Sequence, residues 1–179
     1  MKHLFMAFLF CLASSIAYAQ TYELDWRVIN QEWQFIKEQT GAPADLPMPP
    51  VIITTDMPAA ARMMFQYPTV DNPEDRMVIM ISPKTMETYD REMIDWGLGH
   101  ELTHYAMILE ENAWDLTRKT YVQETRHHCN PRFMRITRQI ADLIYNIYHD
   151  ERAKYQMYHQ VQRSCVGRSE EHTSELQSH

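Results

Sequence analysis

The pattern of apolar and polar positions after residue 20 predicts an amphipathic helix followed by a broken segment and a strand. In "YELDWRVINQEWQFIKEQTG" the apolar residues are mostly spaced for one helix face, and Gly41 stands where a C-terminal cap belongs. The proline-rich "PADLPMPP" then interrupts the chain. The β-branched run "VIITT" predicts a short strand, whereas "DMPAAARMMFQYPTVDNPED" predicts a loop or a short helical excursion.

The second half of the chain predicts one more strand and two helices. "RMVIMIS" is a continuous apolar run, typical of a mostly covered strand, and Pro83 ends it. An apolar helix should begin at Thr85 or Asp90 and run through "REMIDWGLGHELTHYAMILEE" to about Glu111. "NAWDLTRKTYVQETRHHC" predicts a loop with one short helix. Asn130-Pro131 is a strong helix start, and "RFMRITRQIADLIYNIYHDERAKYQMYHQ" carries the apolar stripe of a long C-terminal helix.

These elements predict a small α+β domain, in which a short β-sheet packs on the apolar helix and a long helix ends the domain. With 179 residues and 45% hydrophobic content, the chain suits one domain with a substantial core. The formal net charge of -7 makes nucleic acid an unlikely partner, because binding to nucleic acid depends on neutralising phosphates.

Both ends of the chain are expected to lie outside this domain. "MKHLFMAFLFCLASSIAYAQ" has a positive Lys2, an apolar stretch and a small-x-small cleavage site before Gln20, which predicts a cleavable secretory signal over residues 1–19. The apolar run is shorter than the about 20 residues that span a bilayer, so no stable membrane anchor is expected. "RSEEHTSELQSH", residues 168–179, resembles a translated DNA-sequencing adapter. The domain is therefore expected over residues 20–167, in a truncated form, secreted or in a periplasm.

The segment "GLGHELTHYAMI" carries the candidate chemistry. His100 and His104 are four residues apart, so on a helix they lie on one face and can direct ring nitrogens at one ion. Such a pair is typical of Zn²⁺ sites with Zn–N distances of about 2.0–2.1 Å. Glu101 lies about 100° further around the helix, where it can act as a general base on water instead of binding the ion.

A third ligand must come from elsewhere in the chain, because catalytic zinc sites use three protein ligands and one open position. The metzincin extension is excluded, since Met107 and Glu110 stand where it needs glycine and histidine. Two regions remain as candidates. One is Glu124, 20 residues after His104, and the other is His128 or its neighbour His127.

"MVIMISPKTMETYDREMIDWGLGHELTHYAMI", with "HCNPRFMRI" further on, resembles the SprT-like zinc metallopeptidases over about residues 46–145. The resemblance implies Glu101 as the general base and His128 as the third zinc ligand beside His100 and His104. It departs from the family in two respects. His128 is five residues before the aromatic Phe133 instead of four, and the stretch between the two motifs is longer than typical.

The residue four before that aromatic is Cys129, which could bind zinc as a thiolate. In a secreted protein the ordinary interpretation of Cys129 is a disulfide with Cys165.

The resemblance implies a zinc-dependent hydrolase that cleaves peptide bonds in a peptide or protein substrate. The alternatives are a zinc-stabilised binding or scaffold module without catalysis, and a DNA-associated protease of the SprT type. If "RMVIMIS" forms the edge of the sheet, a substrate peptide could pair with it beside the zinc; otherwise it is an ordinary interior strand.

Overall fold

The computed structural model describes residues 23–58, 62–121 and 127–175, except for the side chains of Ser164 and of residues 166–175. The described elements, in chain order, are α1 (Trp26–Thr40), β1 (Val51–Ile53), β2 (Met63–Gln66), β3 (Val78–Ile81), α2 (Pro83–Thr88), α3 (Arg91–Glu111), a 3-10 turn (His127–Cys129), α4 (Pro131–Tyr148) and α5 (Glu151–Glu175). A mixed sheet of three strands packs on the helices, so the predicted α+β class is confirmed.

Helix α1 forms where the apolar pattern predicts it, and both of its ends carry ordinary caps. The side chain of Asp25 accepts a hydrogen bond from the Arg27 backbone N–H at 3.1 Å. At the other end Gly41 adopts the left-handed conformation, with φ +71°, and its N–H donates to the Lys37 carbonyl. The buried face of α1 packs against α3 and consists of Val28, Ile29, Glu32, Trp33, Ile36 and Thr40.

The sheet has the strand order β1-β3-β2, with β3 in the centre. Strand β1 runs parallel to β3, and β2 runs antiparallel to it, so that Ile79 pairs with both Val51 and Phe65. All four residues of β3 are buried, as its continuous apolar sequence predicts. Because β3 is the interior strand, a substrate peptide cannot pair with its edge; β2 is an edge strand instead.

Strand β2 corrects the prediction of a loop or a helical excursion in this region. Residues Met63–Gln66 contain no β-branched side chain, and the preceding "AAAR" favours a helix, so local sequence gives little indication of a strand. Backbone pairing with β3 decides the conformation, because it extends the sheet and covers Phe65. Non-local pairing of this kind overrides local propensity.

Helix α3 is the central element of the fold, and 13 of its 21 residues are buried, which explains its apolar residues on nearly all sides. It contacts α1, α4, α5, β2 and β3. It begins after Asp90 and not at Thr85, the other predicted start. Thr85 belongs to the separate short helix α2, where its hydroxyl donates to the Arg62 carbonyl at 2.7 Å.

The predicted single long C-terminal helix is wrong, because the chain forms two helices. Asn130 caps α4 as expected, and its side chain accepts from the Arg132 N–H at 2.8 Å. His149 then adopts φ 59° and ends α4, and the Asp150 carboxylate accepts from the Ala153 N–H at 2.9 Å to start α5. The break allows α5 to fold back on α4, which buries Ala153, Met157 and Val161.

Two acidic side chains, Glu32 of α1 and Asp95 of α3, lie in the core. Glu32 has no exposed surface, and neither carboxylate oxygen has a hydrogen-bond partner among the described residues. Burial raises the pKa of Glu32 well above its usual value, and the nearby charge of Asp95 raises it further. Burial also raises the pKa of Asp95 to about 6, although a hydrogen bond from the Tyr148 hydroxyl at 2.8 Å opposes that shift.

Substitution of Gly99 by alanine should destabilise the fold, although alanine favours a helix over glycine by about 1 kcal/mol. A Cβ atom at position 99 would lie 2.9 Å from Cγ2 of Ile140 and 3.1 Å from Oε2 of Glu32. The β-branched Ile140 is fully buried and cannot easily move, and overpacking of this kind costs about 1–3 kcal/mol. We expect Gly99→Ala to lose about 1 kcal/mol in urea unfolding.

The matched control is Gly97→Ala, whose Cβ would meet only the flexible end of Met63 at 3.2 Å. It should match or exceed the stability of the wild type. Equal stability of the two variants would contradict the close approach at Gly99.

The pH dependence of the free energy of unfolding should reveal the raised pKa of Glu32. Its folded-state pKa lies above its unfolded value, so between about pH 4.5 and the folded pKa the folded chain holds a proton that the unfolded chain lacks. Stability should therefore fall as pH rises through this window. Glu32→Gln should reduce this slope by up to about 1.4 kcal/mol per pH unit in urea unfolding from pH 4.5 to 7.

The exposed Glu38→Gln, on the same helix, serves as the control and should leave the slope unchanged. A wild-type slope in Glu32→Gln would show that Glu32 ionises normally in the folded chain.

Candidate metal centre

Three histidine side chains from α3 and the 3-10 turn converge, one of them buried and two partly buried. His100 and His104 lie one turn apart on α3, and His128 comes from the 3-10 turn before α4. Nε2 of His128 lies 3.1 Å from Nε2 of His100 and 3.1 Å from Nε2 of His104. One ligand atom from each of the three lies within 4.8 Å of the others, so the group could hold a metal ion.

The spacing of these nitrogens suits a tetrahedral ion. Zn–N bonds of about 2.0–2.1 Å at tetrahedral angles separate two ligand nitrogens by about 3.3 Å, close to the observed 3.1 Å. Burial lowers the pKa of His100 to about 3, and the charge of His128 lowers it further. His100 therefore stays neutral at physiological pH, and a neutral imidazole is the form that binds a metal.

The turn that carries His128 is fixed to the body of the protein by contacts on both sides. Cys129 forms a disulfide with Cys165 of α5, which confirms the predicted pairing and removes Cys129 as a thiolate ligand. Arg132 forms an ion pair with Glu110, at 2.7 Å, at the end of α3 and donates to the Gln39 carbonyl at 3.0 Å. These contacts connect the turn to α5, α3 and α1.

The ring of Phe133 packs against all three histidines. It is 1% exposed, and its ring centroid lies 4.3 Å from that of His104 and 4.9 Å from that of His100. The ring of His128 is 5.5 Å away. In the sequence, Phe133 belongs to the apolar stripe of α4 and is the aromatic residue in the segment that resembles the SprT-like motif. In the structure, its packing against all three imidazoles restricts their rotation.

Glu101 lies beside the histidines and faces strand β2. Its Oε2 accepts a hydrogen bond from the backbone N–H of Phe65 at 3.0 Å. Burial raises the pKa of Glu101 to about 8, whereas the hydrogen bond from Phe65 lowers it. Sequence reasoning missed Phe65 because its contribution is a backbone N–H on a strand that the local sequence did not predict.

A cavity of about 210 Å³ opens next to His100 and Glu101. Met63, Met93, Tyr89 and Trp96 give it apolar walls, and Gly97 leaves the space that a side chain would fill. Arg62 also lines the cavity, with its guanidinium 5.5 Å from the centre of the Tyr89 ring. His100 and Glu101 therefore border a space that can admit a side chain of another molecule.

The other predicted candidates for the third ligand differ in their positions. His127 precedes His128 but lies outside the group of three; its ring contacts His104 and Glu111 instead. Glu124 lies outside the described residues. The sequence analysis did not single out Glu111. Its position seven residues after His104, two turns further along the same helix, is the only indication in the sequence, and it is weak.

No family model, no curated protein and no solved structure matches the chain. The assignment of a candidate metal centre therefore rests on the geometry of the three histidines and on their chemistry.

Metal content should separate the candidates for the third ligand. His128→Ala should weaken Zn²⁺ binding by more than about 100-fold, because it leaves two protein ligands for an ion that needs at least three. Glu124→Ala should retain close to one Zn²⁺ per chain. Equilibrium dialysis followed by elemental analysis measures both, and circular dichroism checks the fold. Loss of zinc in Glu124→Ala alone would contradict the assignment of His128.

Proposed function

We propose that this chain is an exported zinc-dependent hydrolase that cleaves peptide bonds, with a peptide or protein as its substrate. The observation that carries the proposal is the arrangement of three convergent imidazoles with Glu101 beside them, at the edge of a cavity. The resemblance of the HExxH segment to the SprT-like metallopeptidases supports it. A buried histidine cluster alone would serve a structural ion equally well, whereas the carboxylate and the cavity favour catalysis.

We assign His100, His104 and His128 as the zinc ligands. Three neutral nitrogen ligands are the set found in several catalytic zinc sites, which keep a fourth position for water or substrate. When bound, zinc would supply Lewis-acid chemistry, which polarises a carbonyl group and lowers the pKa of water at the site to about 7.

Glu101 acts as the general base and then as the general acid in this proposal. The Phe65 N–H holds Oε2 at 3.0 Å, so we assign proton transfer to the other oxygen, Oε1. Oε1 takes a proton from the attacking water and later gives it to the leaving nitrogen of the cleaved bond. The same carboxyl group can serve in both steps, because a general base that has taken up a proton within reach of the reacting atoms can return it as a general acid.

The cavity beside Glu101 would hold a large apolar side chain of the substrate next to the cleaved bond. Its walls are formed by methionine and aromatic side chains, which favour apolar groups. Strand β2 is the edge strand next to Glu101, and a substrate in extended form could align along it. The proposal therefore aligns the substrate with β2 and not with β3, which is the interior strand.

Export is part of the proposal. Disulfides such as Cys129–Cys165 persist in oxidising compartments, in agreement with the predicted secretory signal. Over the ranges that the structure describes, no helix is both long enough and apolar enough to cross a membrane.

Glu101→Gln should separate a catalytic centre from a structural one. The variant should keep close to one Zn²⁺ per chain, because Glu101 is not assigned as a ligand, and should hydrolyse peptides at least about 100-fold more slowly, because glutamine cannot accept the proton. The assay uses fluorescence-quenched peptides that contain large apolar residues, with zinc measured in the same samples.

The exposed Glu87→Gln is the control and should hydrolyse at the wild-type rate. Hydrolysis by Glu101→Gln at the wild-type rate would contradict the mechanism. A zinc-loaded wild type that cleaves none of the peptides would favour the scaffold function instead.

A further inference from the structure

His104 has contacts on both of its ring nitrogens, and only one of them faces the other two histidines of the candidate centre. Its Nε2 lies 3.1 Å from Nε2 of His128, whereas its Nδ1 lies 3.0 Å from Nδ1 of His127. Nε2 of His127 lies 3.0 Å from Oε1 of Glu111. Glu111, His127 and His104 therefore form a continuous chain from a carboxylate near the surface, through two imidazoles, to the metal position.

We infer that Glu111 and His127 are positioning residues that hold His104 in the tautomer whose Nε2 carries the lone pair that a metal would take. The inference rests on the proposed function and extends it, because it names two residues that would act on the metal through a ligand.

If both imidazoles are neutral, the hydrogen-bond donors and acceptors along the chain allow one assignment of protons that leaves the metal position open. The ionised carboxylate of Glu111 can only accept, so Nε2 of His127 carries a proton. Neutral His127 then has its lone pair on Nδ1, which accepts from Nδ1–H of His104. His104 is left with a lone pair on Nε2, as metal binding requires.

The opposite assignment fails at both ends of the chain. If Nδ1 of His127 donated to His104, the remaining proton of a neutral His104 would lie on Nε2 and block the metal position. Nε2 of neutral His127 would then direct a lone pair at the carboxylate of Glu111, 3.0 Å away. The negative charge of Glu111 therefore determines the direction of both hydrogen bonds.

The packing holds this chain in place. His127 is 2% exposed, and its ring lies within 22° of the plane of the His104 ring, which suits a hydrogen bond between two ring nitrogens. Phe133 packs on both rings, with interplanar angles of 34° to His104 and 16° to His127. The other ligand on α3 has no such support, since Nδ1 of His100 is buried without a hydrogen-bond partner among the described residues.

The test measures Zn²⁺ affinity by competition with a chromophoric chelator in the full, disulfide-bonded chain. The variants are His127→Phe, which keeps an aromatic ring on Phe133, and Glu111→Gln, which keeps the shape of the side chain and removes its charge. Loss of an outer partner of a metal ligand lowers affinity by about 10–100-fold, so each variant should raise the Kd for Zn²⁺ within that range. The surface variants His159→Phe and Glu87→Gln should keep the wild-type Kd.

The double variant, His127→Phe with Glu111→Gln, tests whether the two residues act through one hydrogen-bonded chain or through two separate structural effects. Because the inferred effect of Glu111 on the metal passes through His127, the double variant should bind Zn²⁺ no more weakly than His127→Phe alone. The inference is overturned if the losses of Zn²⁺ affinity in the two single variants multiply in the double variant. It is also overturned if both single variants have a Kd within twofold of the wild type. If His127→Phe does not fold, a wild-type Kd in Glu111→Gln overturns it alone.

Failure of the proposed function gives a different result. A wild-type chain that binds no Zn²⁺ overturns the metal centre itself, whereas a wild type that binds Zn²⁺ and is insensitive to Glu111 and His127 overturns only their role.

Discussion

The position of His128 is the constraint on which the candidate centre depends. His100 and His104 are brought together by one turn of α3, but two imidazoles alone make an incomplete site. His128 reaches them because the Arg132–Glu110 ion pair attaches the start of α4 to the end of α3, and because the disulfide of Cys129 holds the turn to α5. The site therefore requires the packed arrangement of three helices, and any change that separates them would remove the third imidazole.

Burial of α3 has opposite effects on the two kinds of ionisable side chain it carries. It lowers the pKa of His100 and raises the pKa of Glu101, and in both cases it favours the neutral form. Neutral imidazoles are ready to bind a cation, and a carboxyl group with a raised pKa can exchange protons near neutral pH. The same burial leaves Glu32 without a hydrogen-bond partner among the described residues, an arrangement that opposes stability at neutral pH.

Strand β2 connects the sheet to the candidate site through a hydrogen bond to Glu101. One side of β2 pairs with β3, and the Phe65 N–H on the strand is turned towards Glu101. The contact fixes one oxygen of the carboxylate and places the edge of the sheet along the cavity that His100 and Glu101 line. The sheet thus has a role beyond covering the core, since it orients the carboxylate and borders the cavity beside it.

The sequence by itself determined the features that depend on neighbouring residues. The periodicity of α1, the cap at Gly41, the apolar run of β3, the helix start at Asn130 and the shared face of His100 and His104 are all set within a few residues. Only the tertiary structure decided what depends on distant contacts. Met63–Gln66 became a strand by pairing with β3, and the expected long helix folded back at His149 into a pair.

The tertiary structure also decides the different contacts of His127 and His128, two adjacent histidines of the same chemistry. The fold directs one ring at the metal position and the other at His104 and Glu111, because the turn that carries them is held between α3, α4 and α5. Spacing along a chain limits which side chains can share a helix face, but it does not define the direction of a ring in a turn whose contacts come from three other elements.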